Sequence, residues 1–269
     1  MSMNTFQQLT DSLSIFAIFT VIALIALVVF ELGYRHGRWW QERTPEEKEG
    51  PTGMIVGSLL SLMAFLLAIT MGMASERFNK RHALVLEEAN SIGTTYLRAG
   101  FLPEKEALLS RNYIEEYVLL RTGSGEANEV NSRITQSVVL HERLWSTAEQ
   151  LARRHYDSPI LALYIDALND TIDLHETRVA AGIYSRVPAT IVILLLLGSM
   201  LTMGMVGYNA GLTRRRSPVT AIVLIGVLAA VITLIIDLDR PQGGFLTVSQ
   251  QPLIDLQQQI AQSASSSKK

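Results

Sequence analysis

The residues best suited to chemistry lie in a charged segment in the second half of the chain. Between Asp166 and Arg178 the chain carries several acidic side chains, one amide, Asn169, and one histidine, His175. Carboxylates and imidazole can ligate a metal ion, but a helical di-metal bundle needs Glu-x-x-His on each of two helices. Ile172 occupies the acid position before His175, and no His-Glu-x-x-His motif occurs. The spacing therefore disfavours a metal site, and we predict no metal or other cofactor. Buried interhelical hydrogen bonding by Asn90, Asn169 and Arg178 is the favoured interpretation.

Other catalytic patterns are absent from the sequence. Gly123-Ser-Gly125 lacks the Gly-x-x-x-x-Gly-Lys frame of a phosphate loop, and no Gly-x-Ser-x-Gly elbow occurs. The chain has no cysteine, and therefore no thiolate nucleophile. Four histidines have charged neighbours and are expected in wet surroundings: His36, His82, His141 and His155. Because no catalytic pattern is found, we predict that the protein is not an enzyme. The net charge of −2 gives no support for nucleic-acid binding, which needs a basic surface.

Four long runs without a charged residue indicate the helices that hold the charged segment in place. They cover residues 12–30, 50–75, 187–213 and 217–236. Each is long enough for a helix to cross a hydrocarbon core of about 30 Å. We therefore predict an all-α integral membrane protein, with transmembrane helices at residues 13–34, 52–75, 188–208 and 219–238. The first run should be retained rather than cleaved, because residues 1–10 hold no Lys or Arg.

The remaining segments differ in length and in charge. Residues 1–12 form an N-terminal tail, 35–51 a charged hairpin loop, and 209–218 an Arg-rich hairpin loop. Residues 76–186 carry mixed charge, and their periodicity predicts a helical-bundle domain inserted between helices two and three. Helix two should continue into that domain and be followed by helices at 103–121, 127–156 and 159–184. Residues 239–269 are a C-terminal tail with a possible short amphipathic helix at 250–262.

The second transmembrane helix carries small residues at helical spacing. Such a stripe lets backbones approach closely in lipid, which favours a helix-packing role. The candidates for packing are Gly53, Gly57, Ala64 and Ala68. A neighbouring stripe could instead line an oligomeric pore. Its candidates are Ser58, Ser61, Phe65, Gly72 and, at the mouth, Glu76. The two interpretations are compatible, because one helix can pack with one face and line a pore with the next.

Charged residues also cluster at the membrane ends. Glu31 and Arg35 close helix one at a spacing that permits an ion pair, and Asp237, Asp239 and Arg240 close helix four. Acidic groups at that depth mark ion pathways, or else a helix end tied to the interface by Arg240. Beyond helix two, charge pairs such as those of Glu76, Glu87 and Glu88 are expected to be a solvated face.

Short loops orient the chain in the membrane. Positive charges lie in both hairpins: Arg35, Arg38, Arg43, Lys48, Arg214, Arg215 and Arg216. This pattern predicts cytoplasmic hairpins and a helical domain outside. A competing signal follows helix two directly: Arg77, Lys80 and Arg81.

A set of residues with fixed order and spacing resembles the bacterial bestrophin-like family (domain of unknown function 4239). They are Arg77, Arg81, Glu88, Asn90, Gly93, Tyr96, Arg98, Asn169, Asp173, Glu176 and Arg178. Asp237-Leu-Asp239-Arg240-Pro241, Gly243-Gly244 and Ser249-Gln-Gln-Pro252 follow in the same order. The resemblance implies likeness to bestrophins, which are pentameric anion channels with a hydrophobic constriction on the second helix. Only Phe65 is an aromatic candidate there. Bestrophins keep their large domain in the cytoplasm, opposite to the side that the loop charges predict.

The leading hypothesis is a homo-oligomeric ion channel in the bacterial inner membrane, embedded in lipid and conducting anions. Helix two would line its pore, and the helical domain would form a vestibule. The alternative is a non-conducting scaffold or envelope sensor whose helical domain binds a partner. A transporter is disfavoured because the four helices contain no inverted repeat and no broken-helix pair.

Overall fold

The structure is a computed structural model that describes residues 10–44, 50–123, 127–155, 157–214, 217–240 and 244–266. Several residues of earlier predictions lie outside these ranges: residues 1–9 of the tail predicted at 1–12, Lys48, Arg215, Arg216, Pro241 and Gly243. The described residues contain helices and no strand. The helices are α1 (Ile15–Arg43), α2 (Gly50–Ala99), α3 (Glu104–Thr122), α4 (Ala127–Arg154), α5 (Pro159–Ile183), α6 (Ala189–Leu212), α7 (Pro218–Asp239) and α8 (Gln251–Ser266).

Four of these helices are long and apolar enough to cross a membrane: α1, α2, α6 and α7. Between α2 and α6 the chain forms the inserted helical bundle, and α2 runs unbroken from the apolar segment into it. The predicted fold class is therefore confirmed: the protein is an all-α, multi-pass membrane protein with a helical domain between its second and third spans.

The chain divides into two compact units. The membrane unit contains Met1–Phe78 and Arg186–Thr247, and the helical unit contains Asn79–Ser185 and Val248–Lys269. Each has its own apolar core. In the membrane unit, Ala26, Ala229 and Ile232 are fully buried. In the helical unit, Ile92 and Leu168 are fully buried.

Helix α1 extends beyond the predicted end at Tyr34, so that much of the predicted hairpin loop is helical. No proline interrupts the sequence there, and two ion pairs at four-residue spacing support the extra turns. Arg35 Nε lies 2.9 Å from Glu31 Oε1, and Arg38 Nε lies 3.4 Å from Glu42 Oε1.

The C-terminal segment is part of the helical unit instead of a separate tail. Leu253, Leu256 and Ile260 of α8 are buried in the core of that unit. Their spacing places them on one face of the helix, which explains why the segment packs. Gly93 of α2 faces this helix, and a Cβ built on it would lie 3.2 Å from Leu256 Cδ1.

Helices α1 and α6 meet through glycines that the sequence analysis did not single out. A Cβ on Gly37 would lie 2.1 Å from the carbonyl oxygen of Tyr208, and one on Gly207 would lie 2.1 Å from that of Phe30. Gly33 and Gly211 make equally close approaches to α6 and α1. Only glycine permits backbones this close, so these positions determine how the two helices pack.

Candidate functional site

All five pore-lining candidates on α2 are solvent-exposed in the isolated chain: Ser58, Ser61, Phe65, Gly72 and Glu76. Phe65 is 62% exposed. The hydroxyls of Ser58 and Ser61 donate to the carbonyls of Met54 and Gly57, each over 2.9 Å, so they are satisfied within their own helix. The structure thus places these residues together on a face that nothing in the described chain covers.

The four packing candidates are exposed as well: Gly53, Gly57, Ala64 and Ala68. A Cβ on Gly53 or Gly57 would meet no atom of the described residues within 4 Å. The membrane portion of α2 instead packs through Val56, Met63 and Ala74, which are buried. Close packing of the small residues therefore does not occur within this part of the chain, and it stays a prediction for contact between chains.

The charged residues at the membrane ends form two separate clusters. Glu31 pairs with Arg35 within α1, which continues to Arg43; the Arg35 side chain is exposed and that of Glu31 is half-buried. Arg240 donates to the carbonyls of Thr10 and Leu13, just before α1 begins. Glu31 lies sixteen residues beyond Ile15, the first residue of α1, which is about 24 Å along a helix. The Arg240 contacts thus lie at the start of α1, and the Glu31–Arg35 pair lies near its middle.

Asp237 and Asp239 hold backbone groups near the end of α7. Asp237 is 2% exposed and accepts the N–H groups of Phe245 and Leu246 at 3.1 Å. A Cβ on Gly244 would lie 2.1 Å from Asp237 Oδ1, so a larger residue there would have to displace the carboxylate. Asp239 Oδ1 accepts the N–H of Val187 at 2.7 Å. These contacts favour a structural role at the helix end over an ion pathway, because each carboxylate accepts hydrogen bonds from backbone N–H groups.

A buried charge cluster surrounds Glu88 in the helical unit. Glu88 is fully buried, and its Oε1 accepts Arg121 Nε at 2.9 Å and the hydroxyl of Tyr117 at 2.7 Å. Arg178 donates to Oε2 and also to Gln250. The expectation of a solvated face is therefore wrong for Glu88, which α3 and α5 cover with their own polar side chains.

Two buried histidines complete the cluster. His175 Nδ1 lies 3.1 Å from the hydroxyl oxygen of Tyr117. The rings of His141 and His175 meet edge to face with centroids 4.9 Å apart. His141 is 5% exposed, so the prediction of wet surroundings is wrong for this histidine. Its helix, α4, turns the ring toward the core of the unit.

The protonation states follow from burial and charge. Burial alone would raise the pKa of Glu88, but the guanidinium groups of Arg121 and Arg178 outweigh it and lower the pKa. Burial, together with the Arg121 charge, lowers the pKa of His175 to about 3. Burial also lowers the pKa of His141 to about 4. At neutral pH the cluster thus contains one carboxylate, two guanidinium groups and two neutral imidazoles.

Two other residues of the family motif make contacts between helices. Tyr96 donates to Glu115 at 3.3 Å, and Arg98 donates to the carbonyl of Leu163 at 2.6 Å. Arg81 is buried, Arg77 is half-buried, and Glu176 is exposed.

The predicted buried hydrogen bonds occur for Arg178 but not for the two asparagines. Asn90 is exposed, and the exposed Asn169 donates to Asp173 on its own helix at 3.1 Å. Both asparagines lie on helix faces that the neighbouring helices leave uncovered.

A groove of about 360 Å³ lies in the helical unit, with α2 and α5 as its walls. Its lining includes Thr94, Arg98, Asp166, Asp170 and Asp173. Among the residues that the structure describes, no three His, Asp or Glu side chains converge as metal ligands would.

Comparison with models of protein families identifies the family of this chain. The model of the bestrophin-like domain matches residues 20–253, which is most of the chain. The chain belongs to the bestrophin-like family. Comparisons with curated proteins and with solved structures each gave no match.

The bestrophin-like match covers the α2 face, the α7 end and the Glu88 cluster. Three members of that cluster were missed from the sequence: Tyr117, Arg121 and His141. A signal was available for two of them. Tyr117 and Arg121 follow the buried Ile114 at three and seven residues, so all three lie on one face of α3. A tyrosine and an arginine on the apolar face of a helix point to a buried polar partner.

Proposed function

We propose that this bestrophin-like protein is one subunit of an oligomeric ion channel, with a pore lined by the membrane portion of α2. The observation that carries the proposal is the exposed face of α2, where small and hydroxyl-bearing residues surround Phe65. Of the most apolar segment of α2, 17% is buried, compared with 22% for α1, 33% for α6 and 44% for α7. A single chain cannot enclose a pore with one such face, so several copies must contribute theirs.

The side chains of this face suit the passage of an anion. Between residues 50 and 75 there is no carboxylate, and the hydroxyls of Ser58 and Ser61 can turn to donate to a partly dehydrated anion. Gly72 leaves the pore wide, while the ring of Phe65 narrows it. A ring of aromatic side chains can gate by excluding water. The helical unit would form the vestibule, with Glu76 at the mouth.

Stoichiometry and orientation are further parts of the proposal. The likeness to bestrophins supports five copies. We place the chain in a bacterial inner membrane, where the basic residues of the hairpin loops support cytoplasmic hairpins and the helical unit outside. Labelling intact cells at an engineered cysteine in the helical unit, such as Glu142→Cys, tests the orientation, because Glu142 is exposed. Labelling that occurs only after lysis would place the helical unit in the cytoplasm instead.

Recording from purified protein in planar bilayers tests conduction. We expect discrete currents that reverse at the chloride potential in a gradient of potassium chloride. The same preparation, imaged in detergent, should show a symmetric ring with an open axis. A monodisperse preparation that passes neither anions nor cations would overturn the proposal.

One observation favours a second candidate function, a non-conducting scaffold or sensor. The hydroxyls of Ser58 and Ser61 are already satisfied by their own helix, so this face of α2 could equally lie against lipid. The helical unit would then bind a partner protein. Crosslinking in whole cells from Glu142→Cys would capture a distinct protein on that unit, whereas recovery of self-contacts alone would argue against it.

A further inference from the structure

The Glu88 cluster joins nearly every helix of the helical unit. Glu88 comes from α2, Tyr117 and Arg121 from α3, His141 from α4, and His175 with Arg178 from α5. Gln250, the residue before α8, accepts from Arg178. A change of charge at this point therefore acts on the packing of the whole unit.

The hydrogen bonds of the cluster determine which ring nitrogen of His175 carries hydrogen. Tyr117 donates its hydroxyl hydrogen to Glu88, so its oxygen is free to accept. Nδ1 of His175, 3.1 Å away, must then be the donor, which leaves Nε2 with a lone pair. Nε2 of His175 and Nε2 of His141 are both buried and have no hydrogen-bond partner in the described part of the chain.

The groups around these histidines oppose their protonation. Among the described residues, the carboxylate that interacts with them is that of Glu88 on α2, which already accepts from Tyr117 on α3 and pairs with two guanidinium groups, Arg121 on α3 and Arg178 on α5. Each imidazole also lies against the ring of Tyr117 and against the second imidazole. A proton on either ring would add a positive charge to a dry site that already has an excess of one.

From this geometry we infer that the Glu88 cluster is a proton-sensitive latch of the helical unit. The closed bundle holds both imidazoles neutral and dry. When the helices around the cluster separate, water reaches His141 and His175, and each takes up a proton. Acidification therefore favours the open form. This inference does not depend on ion conduction.

The pH window follows from the two forms. The pKa of His141 is about 4 and that of His175 about 3 in the closed form, against 6.5 for a solvated imidazole. The closed form is therefore fully favoured above pH 6.5 and loses this advantage as the pH falls. The pKa of Glu88 is lowered from 4.5, so Glu88 adds to the effect only below pH 4.5. For two independent histidines, the opening constant rises about a thousandfold between pH 7.5 and pH 5.

Hydrogen exchange on the full-length protein in lipid nanodiscs tests the latch. After correction for intrinsic exchange, amides near Glu88 in α2 and near His175 in α5 should lose protection by about a thousandfold between pH 7.5 and pH 5. The logarithm of the opening constant should change with a slope approaching two protons per pH unit. Protection in α6 and α7 should not follow this slope.

Two variants separate the latch from general acid sensitivity. In the double variant His141→Gln, His175→Gln the slope should fall to near zero, whereas His155→Gln, which alters an exposed histidine, should behave like wild type. If the double variant does not fold, the wild-type slope alone decides. A pH-independent opening constant in the wild type, or an unchanged slope in a folded double variant, would overturn the inference.

Discussion

Two glycine-containing faces of the membrane unit share one spacing and have opposite surroundings. Gly33 and Gly37 of α1 are four residues apart, as are Gly53 and Gly57 of α2. The first pair lies directly against the backbone of α6, where an added Cβ would overlap a carbonyl oxygen at 2.1 Å. The second pair meets nothing within 4 Å among the described residues.

The difference teaches that a glycine motif needs a complementary surface before it becomes a contact. Helix α6 supplies one for α1, because Gly204, Gly207 and Gly211 remove side chains from the facing positions. No helix of the described chain supplies one for the exposed face of α2. That face is thus available to lipid or to a second copy, which is the basis of the proposed assembly.

The largest effect should come from adding a methyl group to the α1–α6 contact. Gly207→Ala forces two helix backbones apart, and we expect a loss of about 3 kcal/mol in the free energy of unfolding, at the upper end for overpacking. Thermal unfolding in detergent would measure it. Gly226→Ala on α7 is the matched control, because a Cβ there meets no atom of the described residues within 4 Å. Equal melting temperatures for the two variants would break the comparison.

A smaller effect should follow from enlarging the exposed α2 face. Gly57→Leu adds a side chain where the chain itself leaves room, so the fold of one subunit should keep its melting behaviour. The assembly should weaken by about 1–3 kcal/mol per contact if copies meet there. Mass measurement of single particles at falling concentration would detect dissociation. An unchanged assembly would show that this face does not lie between subunits.

The smallest effect should come from Gly93, where an added Cβ would approach another atom less closely than at Gly207 and more closely than at Gly57. A Cβ on Gly93 would meet only the flexible end of Leu256, at 3.2 Å. The Leu256 side chain can shift, and alanine stabilises a helix by up to about 1 kcal/mol relative to glycine, which offsets the cost of that shift. Gly93→Ala should therefore leave the free energy of unfolding nearly unchanged. Chemical unfolding of the helical unit would check this. A loss of unfolding free energy as large as that of Gly207→Ala would contradict the comparison. The cost of an added Cβ would then not depend on its distance from the nearest atom or on whether that atom is backbone or side chain.

The four membrane spans could be predicted from sequence, because burying a charge in lipid is so costly that uncharged runs are diagnostic. The breaks between helices were equally readable. Gly100 and Pro103 separate α2 from α3, and Ser158 with Pro159 starts α5, where the Ser158 hydroxyl accepts the N–H of Leu161.

The buried cluster was harder to predict, for a physical reason. In a charged stretch such as that around Glu88, spacing shows which residues share a face but not which face another helix will cover. That depended on Arg121 and Arg178, which are distant in sequence. The α2 face raises the same difficulty for the pore, since the surface that would complete it belongs to other copies.

Thiol accessibility in the conducting protein tests the proposed pore most directly. The chain has no cysteine, so single-cysteine variants have no background. Ser61→Cys would lie in the pore, and Val227→Cys, at a position 58% exposed near the middle of α7, would face lipid. A negatively charged thiol reagent added during bilayer recording should reduce the current of Ser61→Cys and leave that of Val227→Cys unchanged. Equal currents before and after treatment in Ser61→Cys, with the channel open, would contradict a pore lined by α2.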